Sequence, residues 1–165
     1  MVFNHVLTHS LLFALIVNGS LLMVMIITSP RVWGYADYSQ AIKDKVPPQT
    51  AGEKRLAWIF GLPWMIFTLG FPVVSTYVLK SNLGGELSFW TAFLNVFVMV
   101  SLAMIGDLVL LDWLIVNKIT PKFVIIPGTE KSDYKDFSHH FRAHARAAIL
   151  LVVLSFIYAG IVWFF

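Results

Sequence analysis

The chain alternates four long apolar segments with three polar connections. The apolar segments cover residues 6–28, 56–79, 87–116 and 146–165, and the first two contain no Asp, Glu, Lys or Arg. A helix needs roughly 20 apolar residues to cross about 30 Å of hydrocarbon. Because lipid offers the backbone no hydrogen-bond partner, each such segment must be helical. The pattern predicts an all-α membrane protein, a bundle of four transmembrane helices.

Composition agrees with the pattern. Of the 165 residues, 58% are hydrophobic and 13% are charged, which is too apolar for a soluble domain of this length. Four spans leave no room for a second folding unit, so we expect one transmembrane domain over residues 1–165. The chain has no cysteine, which excludes disulfides and thiolate metal ligands.

The cations predict the orientation. Eleven of the 12 Lys and Arg residues lie in or beside the first and third connections, and the middle connection has only Lys80. The positive-inside rule then places both basic loops in the cytoplasm and both termini outside, in a prokaryotic plasma membrane. No cationic run is long enough to bind nucleic acid. The expected partners are membrane lipids, with a homo-oligomer or a larger membrane complex left open.

Local signals indicate that the two basic loops are ordered. Thr50 followed by Glu53 matches a helix capping box, which gives Glu53 a structural task. Asn18 lies in the middle of the first span, where an amide usually marks a contact between helices. The apolar run 123–126 is too short to span, so we expect it to lie at the interface or to pack on the bundle.

Ionisable residues cluster where the third and fourth spans face the cytoplasm. Asp107 lies 17 residues after Trp90, and Arg146 lies 17 residues before Trp163. If both tryptophans lie at the outer interface, Asp107 and Arg146 come to the same depth in the membrane. This register predicts a structural Asp107–Arg146 ion pair. By the same count, Asp112 comes level with the start of span four.

Four interpretations of this cluster stay open. The first is the structural ion pair. The second is an anion or lipid head group bound by Arg142, Arg146, His140 and His144 at the positive end of a helix. The third is a divalent metal ion held by His140, His144 and Asp112, since the histidines stand at i and i+4. The fourth is proton relay between carboxylate and imidazole.

The spacing of the two aspartates argues against a carboxylate dyad. Asp107 and Asp112 are five residues apart, which is about 140° around an α-helix. They should therefore not share one helix face. Outside this cluster the chain has no phosphate-binding loop, no nucleophile elbow and no cofactor fingerprint. No cofactor is predicted apart from the metal ion of the third interpretation.

Two segments carry a resemblance. The stretches PRVWGYADYSQAIKDKVPPQTAGEKR and TPKFVIIPGTEKSDYKDFSHHFR resemble loops of small, uncharacterised prokaryotic four-span integral membrane proteins. The resemblance covers both basic loops and implies the four-span fold, but it implies no activity.

The sequence thus leads to two functional hypotheses. The first is an integral membrane protein that binds an anionic lipid or a small anion at its cytoplasmic face, as a transport or complex-forming subunit. The second is a small membrane-embedded enzyme that acts on a lipid-borne substrate through Asp and His acid–base or metal chemistry. The sequence alone does not decide whether the protein is an enzyme.

Overall fold

The computed structural model describes all residues from 1 to 165 and contains only helices and connecting turns. The α-helices are α1 (Val2–Ile27), α2 (Pro30–Trp33), α3 (Gln40–Lys43), α4 (Ala51–Asn82), α5 (Phe89–Gly106) and α6 (Phe137–Phe164). Helix α5 continues without a break as a π-helix over Asp107–Ile119, and Lys131–Tyr134 form a 3₁₀ turn. Four helices are long and apolar enough to cross a membrane, which confirms the predicted helical bundle.

Helix α5 is the centre of the bundle and packs against α1, α4 and α6. The side-chain amide of Asn18 donates a hydrogen bond to the carbonyl of Ala103, 3.1 Å away, so the mid-span amide joins two helices as expected. Gly106 makes room for it, because a Cβ atom at that position would lie 2.7 Å from Asn18 Nδ2. Helix α4 is the most exposed of the four long helices, because only 6% of its most apolar 18-residue segment is buried.

The two basic loops form a folded layer, defined by residues 28–50 and 120–136 and called the loop layer below. Val124 and Ile126 are fully buried in it, which confirms that the short apolar run packs on the bundle. The Tyr38 hydroxyl donates to the Val124 carbonyl at 2.9 Å and so joins the two loops. Burial raises the pKa of Tyr38 well above its ordinary value, so the hydroxyl keeps its proton.

The start of α4 is fixed as the sequence predicts. Thr50 caps the helix, and the Glu53 side chain reaches back to the Thr50 amide, which completes the capping box. The same carboxylate accepts a hydrogen bond from Arg31 Nε at 2.6 Å. Arg31 also donates to the carbonyls of Pro47 and Pro48, so this one side chain attaches the loop layer to α4.

Helix α6 begins nine residues before the predicted span. Its N-cap is Asp136, whose side chain accepts a hydrogen bond from the Ser138 amide at 3.0 Å. The basic and histidine-bearing segment that precedes residue 146 is therefore part of the helix. This placement gives its side chains fixed directions relative to α5.

Candidate functional site

The π-helix brings Asp107 and Asp112 together, which corrects the expectation that they do not share a face. Hydrogen bonds in a π-helix close from residue i to i+5, so residues five apart come to lie roughly above one another. The carboxylates accordingly face the same helix, α6. The angle of about 140° between the two aspartates applies to an α-helix and does not hold for this π-helical segment.

Two histidines of α6 meet these carboxylates. His140 Nδ1 lies 3.2 Å from Asp112 Oδ1, and His144 Nε2 lies 2.9 Å from Asp112 Oδ2. His144 Nε2 is also 3.7 Å from Asp107 Oδ2. Asp112 therefore joins both imidazoles, and His144 lies between the two carboxylates. The contact between Asp112 and the start of span four agrees with the depth count from the sequence.

These side chains line a cavity of about 190 Å³ between the bundle and the loop layer, called the polar cavity below. Asp37, from the loop layer, is a third carboxylate in its lining, and no Lys or Arg lines it. Two nitrogen atoms of the lining, Trp33 Nε1 and His144 Nδ1, are buried without a hydrogen-bond partner. The cavity thus combines excess negative charge with unpaired nitrogen atoms.

The predicted Asp107–Arg146 ion pair is not formed. Asp107 contacts His144 instead, while Arg146 Nε donates to the Arg142 carbonyl at 3.2 Å. Arg146 follows His144 by two residues. Along the axis of an α-helix this separation is only about 3 Å, but around the axis it is about 200°, so the two side chains point in nearly opposite directions. The predicted depth of Arg146 was therefore nearly correct, but the predicted direction of its side chain towards Asp107 was wrong.

The four residues predicted to bind an anion are divided between two environments. His140 and His144 face the carboxylate of Asp112 inside the bundle. Arg142 has 62% of its side chain exposed and lies 3.6 Å from Asp136, and Arg146 is also exposed. The structure therefore does not bring the two histidines and the two arginines into one site.

The residues predicted to hold a metal ion do come together. His140 and His144 both contact Asp112, as the third interpretation requires. From the sequence, Asp107 belongs to the ionisable cluster as the partner of Arg146 and not to the metal-ligand set, because the helical positions were counted for an α-helix where the structure has a π-helix. No sequence signal indicated Asp37, which is far away in the chain and reaches the cavity only through the fold of the loop layer.

The geometry allows coordination of a cation. One ligand atom from each of Asp107, Asp112 and His144 lies within 4.8 Å of the others. Carboxylate oxygen and imidazole nitrogen are ligands that zinc and other divalent transition metals accept, at about 2.0–2.2 Å from the metal. No family model matches the chain, and neither a curated protein nor a solved structure matches it.

Proposed function

We propose that this protein is an integral membrane protein that holds one divalent metal ion of the zinc type in the polar cavity. Asp107, Asp112 and His144 are the ligands, and the ion acts on a lipid-borne substrate. The observation that carries the proposal is the convergence of these three ligand atoms within 4.8 Å.

Charge supports a cation in this cavity. Three carboxylates line it, and the two imidazoles are the only groups of the lining that can offset them. Carboxylates that share a partly buried site repel one another, and a divalent cation relieves that repulsion. The same three carboxylates would repel an anion. This is why the polar cavity favours the metal over the anion as its occupant.

Each residue then has a chemical task. A bound zinc-type ion would supply Lewis-acid chemistry and lower the pKa of a bound water. His140 contacts the Asp112 oxygen that His144 does not use, so it orients that carboxylate from outside the ligand set. The proposal therefore corresponds to the enzyme hypothesis from the sequence.

The same proposal includes an orientation. The polar cavity lies at the end of the bundle next to the loop layer, and 11 of the chain's 12 Lys and Arg residues lie in this layer or in the helix ends beside it. The positive-inside rule therefore puts the cavity at the cytoplasmic interface and both termini outside.

Metal binding by the purified protein in detergent is the test. After chelation and dialysis, isothermal titration with Zn²⁺ should give one equivalent per chain. Asp112→Asn should bind at least tenfold more weakly. Asp136→Asn is the matched control, because Asp136 is also near the start of α6 but has 54% of its side chain exposed. Equal zinc binding by wild type and Asp112→Asn would reject the site.

A second candidate function follows from the exposed arginines. Arg142 and Arg146 stand one turn apart on the outside of α6, near its positive N-terminal end, where they suit an anionic lipid head group. Native mass spectrometry should show about ten- to hundredfold weaker retention of anionic lipid by Arg142→Ala. Lys80→Ala, at the other end of the bundle, is the control. Equal retention by the two variants removes this candidate.

A further inference from the structure

A second cavity lies beside the polar cavity and is different in character. It is a cleft of about 380 Å³ bounded by α1, α4, α5 and α6, and 14 of its 17 lining residues are hydrophobic. Phe13 and Val17 of α1 form a buried wall. Trp64 of α4 and Leu154 of α6, exposed by 36% and 41%, lie at its open rim. It is called the apolar cleft below.

One end of the apolar cleft is polar, and that end is the metal-binding cluster. Asp107 and His144 line both the apolar cleft and the polar cavity. The lining along α6 continues from His144 to Tyr158, which is 14 residues or about 21 Å of helix. For comparison, one leaflet contributes about half of the 30 Å hydrocarbon core.

We infer that the apolar cleft binds the hydrocarbon chain of a single membrane lipid, whose polar end lies at Asp107 and His144. This inference rests on the proposed function for the chemistry at the polar end. Binding of the chain itself depends only on the cleft.

The size of the cleft favours a lipid chain over a helix from a second copy of the protein. Even with its open mouth included, the cleft contains about 1060 Å³ of empty space. Spread over about 21 Å, this is a mean cross-section of roughly 50 Å², whereas a helix about 10 Å wide occupies roughly 80 Å². A flexible hydrocarbon chain fits such a space, and a complete helix does not.

The lining decides the class of lipid. The body of the cleft offers almost no polar partner, so the portion within it must be apolar. At the inner end, Asp107 lies near Asp112 and Asp37 in one cavity, and these carboxylates would repel an anionic head group. The substrate class is therefore a lipid with a neutral head group that carries a hydroxyl or ester oxygen, since such an oxygen can coordinate the metal ion.

Photo-crosslinking tests the inference directly. The probe is a long-chain alcohol with a diazirine in its chain, added to the full-length protein in neutral-lipid nanodiscs. Mass spectrometry should locate adducts on the α4 and α6 segments that line the cleft. The cleft-filling variant Leu151→Trp should reduce the adducts at least fivefold.

A matched control separates the cleft from ordinary contact with the bilayer. Ile105→Trp adds the same bulk in an outer groove between α1 and α5 that has no ionisable lining residue. It should leave the adducts of the cleft unchanged. Equal reduction by both variants, or adducts spread evenly over all exposed helix faces, would overturn the inference. A dimer in native mass spectrometry that Leu151→Trp converts to a monomer would overturn it as well, because a second copy would then occupy the cleft.

The outcome is distinguishable from failure of the metal proposal. If Asp112→Asn loses zinc but still yields adducts, and Leu151→Trp reduces them at least fivefold, both proposals stand. If wild type yields those adducts but binds no zinc, the cleft stands and the metal proposal fails. A cooperative thermal unfolding transition of Leu151→Trp near the wild-type midpoint verifies that this variant is folded, so a loss of adducts then reports on the cleft whether or not the protein binds zinc.

Discussion

Replacing Gly106 by alanine tests the close contact between α1 and α5, which lies next to the site residue Asp107. The new Cβ atom would lie 2.7 Å from Asn18 Nδ2, on a side chain already held by bonds to the carbonyls of Ala14 and Ala103. Overpacking of this kind costs about 1–3 kcal/mol. Alanine recovers about 0.5–1 kcal/mol over glycine within a helix. With the middle of each range, the net loss should be about 1 kcal/mol.

Thermal unfolding in detergent measures this loss. For a chain of this size the midpoint should fall by roughly 2–4 °C. Gly19→Ala is the matched control, because a Cβ atom there meets nothing within 4 Å, so its midpoint should stay constant or rise. Asn18→Ala should rescue part of the loss when combined with Gly106→Ala. Wild-type stability of Gly106→Ala, or no rescue, would refute the packing argument.

Three further predictions follow. With cysteines introduced singly at Asn82 and Lys131, an impermeant reagent added to intact cells should label only position 82, and labelling of position 131 would reverse the proposed orientation. Tyr38→Phe should lose about 1 kcal/mol of stability, because the bond to the Val124 carbonyl disappears, and an unchanged unfolding midpoint would contradict this. Free Zn²⁺ at 100 times its dissociation constant should stabilise wild type by about 2.7 kcal/mol, whereas Asp107→Asn should show less than half of the resulting midpoint shift.

The features that the sequence determined are those that depend on local pattern. The length and hydrophobicity of the four segments specify four helices, because a long apolar segment has to satisfy its own backbone. Thr50 and Glu53 specify a capping box, since both partners lie within one helical turn. The depth of Asp112 relative to α6 could also be counted, because the rise per residue varies little along a helix.

Only the tertiary structure decided which side chains share the site. The change from α-helix to π-helix after Gly106 turns Asp107 towards Asp112, and a helical wheel built for 3.6 residues per turn cannot show this. Asp37 reaches the same cavity only because the two loops fold against each other. Arg146 has the expected depth but the wrong direction. Direction around a helix depends on packing with its neighbours, and that packing is set by contacts between residues far apart in the chain.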